Sequence, residues 1–349
     1  NKKNIELLNE SKLPESFTKH ENNIVNTLTI SQKIIDSIPK LKEIINLLSY
    51  GANEPINDEL ITKLLACDET DIIEAIKIGI KLKYIKESSQ GYTIHRLLKE
   101  VWKIQEKLEQ TFIDSVAKNL ADYINEIKDE FLNLSKIEIA NLFSQQWIIN
   151  LTNNDTKAIL IAYRAYLDYY KGNYNRALEI VKEADRIVEK KDSKEYAEIL
   201  IYQGSLNINL ENYEFAKNFA EQSLEILKRL YPKQDHPNIA TSLNNLGIIW
   251  KNEDFEKALN FRRQSFEMRK KLYPKQDHTY IANSLSNLGT NLDHTKNFDE
   301  ALDFHTQAFE MRKNIYLNQD HTHIADSLNN LGVTWSNKKD FTKALYFLV

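Results

Sequence analysis

The sequence predicts an all-α chain, with a small front domain that carries one β-hairpin and a tandem array of helix pairs behind it. Three observations lead there. A five-residue segment recurs as Leu243-Asn244-Asn245-Leu246-Gly247, Leu285-Ser286-Asn287-Leu288-Gly289 and Leu328-Asn329-Asn330-Leu331-Gly332, with glycines 42 and 43 residues apart. Apolar residues inside each recurrence follow helical spacing, as at Leu243, Leu246, Gly247 and Trp250. Proline (6) and glycine (8) are too scarce in 349 residues for a loop-rich fold.

Composition removes several classes of function. Apolar residues are 42% and charged residues 28%, ordinary for a folded domain. A net charge of −4 provides no general attraction to nucleic acid or to an anionic membrane. The most apolar stretch, 72–82, is broken by Glu74, Lys77 and Lys81 and is too short to span a bilayer, so no membrane partner is expected. One cysteine, Cys67, rules out an internal disulfide framework and suits a reducing, cytoplasmic setting. The chain starts at Asn1 and stops inside an amphipathic pattern, as a piece of a longer protein would.

Taken in order, Leu41, Ile44, Ile45 and Leu48 mark a helix ended by Gly51. Asn57 can cap a second helix carrying Leu60, Ile61, Leu64 and Leu65. A third follows Asp68 and carries Ile72, Ile73, Ile76 and Ile80. Lys83-Tyr84-Ile85 and Tyr92-Thr93-Ile94 flank Ser88-Ser89-Gln90-Gly91, which reads as a hairpin, and His95 then starts another helix. Three helices and a hairpin make a winged helix, expected over residues 1–103, with a helical linker over 104–155.

From 156 to 349 the repeats take over, about five of them with the last truncated. Ala258, Phe261, Ser265 and Met268 form a second stripe, repeated at Ala301, Phe304, Ala308 and Met311. Small residues such as Gly247 and Ala258 let two helices approach closely, and each pair leaves an apolar face that only its neighbour can cover. The segment Tyr231-Pro232-Lys233-Gln234-Asp235-His236 recurs unchanged at 273–278 and altered at 316–321. These units resemble the tetratricopeptide repeat in its kinesin-light-chain variety, which implies a right-handed superhelix. Two departures stand out: Gly247 to Phe255 is one residue shorter than its counterparts, and the first unit has Ala165 in place of glycine.

A second resemblance covers about residues 22–103. Thr27-Leu28-Thr29-Ile30-Ser31, Ile44 to Tyr50 and Ile94-His95-Arg96-Leu97 look like the winged-helix domain of NB-ARC-type STAND ATPases. In that family the domain sits between a nucleotide-binding module and a C-terminal sensor, often a repeat array. The resemblance implies that His95 corresponds to the histidine that senses nucleotide phosphate, although Ile94 and Arg96 depart from its usual neighbours. ADP or ATP would then belong to the full-length parent, because no P-loop motif occurs here and five of the eight glycines hold repeat positions.

The binding surface is expected on the concave face lined by the first helix of each pair. That places Asn244, Asn245, Ser286, Asn287, Asn329 and Asn330 there, preceded by Ile201 and Tyr202. An asparagine side chain both donates and accepts, so a ladder of them can grip the backbone of an extended peptide. In kinesin-light-chain-like repeats the corresponding asparagines contact peptide, and the resemblance implies the same use. Arg262, Arg263, Arg269 and Arg312 are expected on a solvated outer face. Asp235, Asp277 and Asp320 are expected to cap the helices that follow them, not to hold metal, because each falls on a different unit. Catalysis is not expected, since no nucleophile elbow or triad emerges. A third-helix start of Asp68, Glu69, Asp71 and Glu74 would repel phosphates, which disfavours DNA. The reading is a non-catalytic sensor and regulatory segment of a STAND-type ATPase; the alternatives are a free-standing repeat adaptor and, less favoured, a winged-helix DNA-binding regulator.

Overall fold

A computed structural model describes residues 31–51, 54–127, 134–274, 277–317 and 321–348. They divide into two compact units, one ending at Thr156 and the other beginning at Lys157. Helical residues 31–37 precede α1 (Pro39–Tyr50), α2 (Asp58–Leu65) and α3 (Glu69–Lys81). An antiparallel hairpin follows, β1 (Ile85–Ser88) and β2 (Gly91–Ile94), and then α4 (Arg96–Gln105), α5 (Gln110–Ile127) and α6 (Leu134–Trp147). The segment Thr27–Ile30, which contributes to the second resemblance, lies outside the described residues.

In the first unit α1 is the centre, with Leu41, Ile44, Ile45 and Leu47 fully buried against α3, α4 and β2. Burying four such side chains stabilises the unit by several kcal/mol, at about 1.5–3 kcal/mol each. Asn57 caps α2, its Oδ1 accepting from the Leu60 amide at 3.0 Å. Asp68 precedes α3 without a side-chain cap, and Ile73, one of the apolar residues that helix carries, is 37% exposed. It falls beside Asp71 and Glu74 on the wet face, whereas Ile72, Ala75 and Ile76 turn inward. The hairpin register pairs Ile85 with Ile94 and Ser88 with Gly91. Gly91 has φ +129°, and a Cβ there would collide with the Ile56 carbonyl, because Ile56 and Tyr92 bridge the edge of the hairpin. Trp102 is buried and donates to Asn46 Oδ1 at 2.7 Å. Lys99 is also buried, donates to the Gly51 carbonyl at 2.8 Å, and is pushed down to about 8 by loss of solvent and then by Lys103.

The second unit is five helix pairs among the described residues: α7 (Asn154–Tyr170) with α8 (Tyr174–Ile187), α9 (Lys194–Asn209) with α10 (Tyr213–Leu230), α11 (Pro237–Ile249) with α12 (Phe255–Leu272), α13 (Thr279–His294) with α14 (Phe298–Ile315), and α15 (Thr322–Asn337) with α16 (Phe341–Leu348). Each second helix also packs on the first helix of the next pair. One continuous core runs through α9, α10 and α11 by way of Leu200, Ala216, Leu227, Leu243 and Leu246. The repeat glycines are close-approach points. A Cβ on Gly289 would lie 2.7 Å from the His305 ring, and Gly247 and Gly332 face Arg262 and Leu348 at the equivalent places.

The connections between paired helices explain the shortened unit. Gly172, Glu211, Lys296 and Lys339 each adopt positive φ, between 60° and 75°, and turn the chain in the left-handed region. The α11–α12 connection lacks that residue. It closes instead with the 3₁₀ turn Trp250–Asn252 and with Glu253 at φ −103°.

The helix starts depart from expectation. His236, His278 and His321 cap α11, α13 and α15, each Nδ1 accepting from the backbone amide two residues on at 3.1–3.2 Å. Asp235 and Asp277 do not cap: Asp235 pairs with Lys271 at 3.7 Å, and Asp277 accepts from Asn314 at 2.9 Å, while Asp320 lies outside the described residues. Each histidine ring stacks on the tyrosine of its own linker, with centroids 4.1, 3.8 and 3.6 Å apart for Tyr231, Tyr273 and Tyr316. Stacking fixes the ring so that its nitrogen meets the helix start, which an aspartate one residue earlier cannot reach.

Candidate peptide-binding surface

The first helices form one layer of the array. Successive first helices touch, as α9 does α11 and α13 does α15, and α10, α12 and α14 each pack on the first helices before and after them. Along that layer the asparagine positions bond to one another across units. Asn245 donates to Ser205 Oγ at 3.1 Å, Asn287 to Asn244 Oδ1 at 2.9 Å, and Asn330 to Ser286 Oγ at 3.0 Å. Asn245 and Ser286 are buried, Asn244, Asn287 and Asn330 are half-buried, and Asn329 is exposed. Asn244 and Asn287 are therefore less open to solvent than free groove side chains would be. An amide nitrogen carries two hydrogens, and the ladder uses one of them on Asn287 and Asn330. Ile201 is a core residue, packed with Leu200 and Ala197. Tyr202 is half-buried, its ring edge-on to Tyr163 at 6.3 Å.

The structure adds residues that the asparagine pattern did not single out. Tyr163, Tyr166 and Tyr170 lie on one stripe of α7, at a spacing of three and then four residues that was readable in the sequence. Tyr166 and Tyr170 have ring centroids 4.6 Å apart and hydroxyls 3.0 Å apart. Ser205 and Thr334 complete contacts between units, Thr334 by donating to Asp293 at 2.6 Å.

Three of the four arginines are not on a solvated face. Arg262, Arg269 and Arg312 are 3–5% exposed, and only Arg263 lies on the surface, 3.5 Å from Glu300. Arg269 donates to Ser284 Oγ at 2.7 Å and to the Tyr280 carbonyl; Arg312 donates to Ser327 Oγ at 2.6 Å and to the His323 carbonyl. Arg262 bonds the Asn287 carbonyl and Asn291 Oδ1. Each guanidinium thus reaches from a second helix to the first helix of the next unit, where carbonyls and hydroxyls replace the water it loses. With no carboxylate to compensate for burial, Arg262 is pushed down to about 10. Loss of solvent also lowers Lys251 and His294, and Arg262 adds to both.

His95 is exposed and caps α4, its Nδ1 accepting from the Leu97 amide at 3.3 Å. Its other ring nitrogen then carries the proton of the neutral ring. Among the described residues no cluster of histidine, cysteine and carboxylate side chains could hold a metal ion, and no helix is long and apolar enough to cross a membrane.

This geometry is that of a tandem array of tetratricopeptide-type helix pairs. Residues 195–271 and 281–323 each match the tetratricopeptide repeat family. Solved structures share the fold. One is the STAND protein PH0952 of Pyrococcus horikoshii, which carries a tetratricopeptide repeat sensor; it is 16% identical over 96% of this chain, with a TM-score of 0.58. This chain spans 52% of that protein's length. A Rap protein complexed with Competence and Sporulation Factor is 15% identical over 83% of this chain and 75% of its own, with a TM-score of 0.54. BtubC (BKLC) of P. vanneervenii is 20% identical over 69% of this chain and 89% of its own, with a TM-score of 0.47. No curated protein matches the chain significantly.

Proposed function

We propose that this chain is the sensor and regulatory segment of a STAND-type signalling ATPase, and that its repeats hold a protein or extended peptide on the layer of first helices. The observation that carries the binding half is the row of amide and hydroxyl groups along α9, α11, α13 and α15, which is half-open to solvent and repeats at the spacing of the units. Such a row offers regularly placed donors to the backbone of an extended segment, and a solenoid surface is long enough to take one. The Rap neighbour, solved with a bound factor, supports that use.

The regulatory half rests on the resemblance of the front unit to the family's winged helix and on the likeness in fold to the Pyrococcus STAND protein, which carries a tetratricopeptide repeat sensor. In this reading His95 is the nucleotide sensor. Its exposed ring, held by the cap bond, leaves the second nitrogen as a donor toward a phosphate of ADP or ATP bound by a module outside this chain. Occupancy of the groove would shift a two-state equilibrium between closed and open arrangements, and the shift can be no larger than the ligand's differential affinity for the two. The coding sequence upstream of Asn1 tests this. A P-loop followed by a helical domain is the expected result, and a translation start close to Asn1 would overturn the ATPase reading while leaving the groove intact.

A further inference from the structure

We propose that the front unit binds a small apolar monocarboxylic acid in the cavity between the end of α1, β2, the first turn of α4 and α6. The site lies wholly within that unit, so it depends neither on the repeats nor on their ligand.

The cavity has a volume of about 270 Å³. That is just below the roughly 300–1,000 Å³ of drug-sized ligand sites, so it suits a smaller molecule. Leu48, Ile56, Ile94 and Phe143 line it, and all four are buried. Gly51 brings one wall into place: a Cβ there would lie 2.2 Å from the Phe143 ring, so the glycine is what lets that ring pack against the end of α1. A hydrocarbon tail seated on these walls leaves water, and each buried methylene raises affinity roughly three- to four-fold.

The other side of the cavity is cationic. Arg96 and Lys99 both line it from α4, and a spacing of three residues puts them on one face of that helix. Arg96 is exposed and forms no ion pair among the described residues. Its guanidinium can therefore take a carboxylate through two parallel hydrogen bonds. Lys99 is 6% exposed, so its charge lies inside the protein. Loss of solvent, and then Lys103, hold it down at about 8 against the pull of Glu100, and a ligand anion beside it would oppose both effects. Among the described residues that line the cavity, Glu54 is the one carboxylate, and it is exposed. Two cations against one carboxylate leave a single positive charge, which matches a monocarboxylate better than a phosphate dianion. His95 does not line the cavity, so the site is distinct from the nucleotide contact proposed for that ring.

The test is calorimetric titration of the full chain with hexanoate, acetate, hexan-1-ol and inorganic phosphate, with the thermal midpoint as a second readout. Hexanoate is expected to bind saturably at one site and to raise the midpoint. Acetate, four methylenes shorter, should bind at least about thirty-fold more weakly. Hexan-1-ol, which keeps the tail without the charge, should bind about ten-fold more weakly or worse. Arg96→Gln should weaken hexanoate by about ten-fold and leave the ligand-free midpoint unchanged, because the side chain it replaces is exposed. Lys99→Met keeps the buried stem and should weaken hexanoate as well; Arg96→Gln decides the matter should that variant not fold. No saturable binding of hexanoate, equal binding of hexan-1-ol, or full affinity in Arg96→Gln overturns the proposal. Displacement of hexanoate by phosphate at a comparable concentration also overturns it, and makes the cavity a phosphate site. None of these outcomes bears on the groove.

Discussion

His236, His278 and His321 do at a helix start what serine or aspartate usually does, and the reason is the tyrosine beneath each ring. A histidine caps through Nδ1 only while that nitrogen is unprotonated. Burial lowers His321, His323 and Arg312 lower it further, and Asp326 opposes them. His323 is lowered by burial first and then by Arg312. The unfolded chain therefore takes up protons before the folded one does, and stability falls as pH drops through the unfolded histidine value of about 6.5. The thermal midpoint at a pH of about 5.5 should lie below that at about 7.5. His321→Asn, which keeps a capping oxygen, should reduce that difference. An equal or higher midpoint at the lower pH would show that these rings do not carry the linkage.

The turns between paired helices show how one deleted residue is absorbed. Lys296 sits at φ +62°, where a side chain crowds the backbone by about 1–2 kcal/mol, and its counterpart in the first pair is Gly172. Lys296→Gly should accordingly raise stability by about 0.5–1 kcal/mol in urea unfolding. Glu253→Gly offers the contrast: its φ of −103° needs no glycine, so that variant should lose stability through chain entropy. Two variants moving in the same direction would contradict this account of the shortened turn. The deletion between Gly247 and Phe255 was legible in the sequence, but its solution by a 3₁₀ turn was not. Turn geometry depends on where the two helices must end to pack, and that is set by the neighbours.

Across the array, stability is a sum of units and of the interfaces between them. Arg312 on α14 bonds Ser327 and the His323 carbonyl on α15, and Asn283 on α13, so it spans three first and second helices at once. Arg312→Ala removes charge-assisted bonds that each contribute about 1.5–3 kcal/mol and leaves a cavity in the seam. Amide hydrogen exchange should then quicken in α15 and α16 while α9 and α10 stay protected. Uniform quickening along the array would mean that it unfolds as one cooperative block.

The sequence alone determined the repeating helix pairs, the hairpin in the front unit and the asparagine row along the first helices. Helical period, small residues at fixed spacing and turn chemistry are local properties, so they are written within a few residues of where they act. The tertiary structure decided what those residues do with their polar atoms. Arg262, Arg269 and Arg312 look like surface cations in the sequence, because most of their acceptors lie 11 to 29 residues away on the next helix pair. The asparagines likewise join units, and Tyr163 of α7 finds a ring partner in Tyr202 only because α9 packs beside it. Polar side chains find their partners across packed faces, and the packing of whole helices decides which partner each one meets.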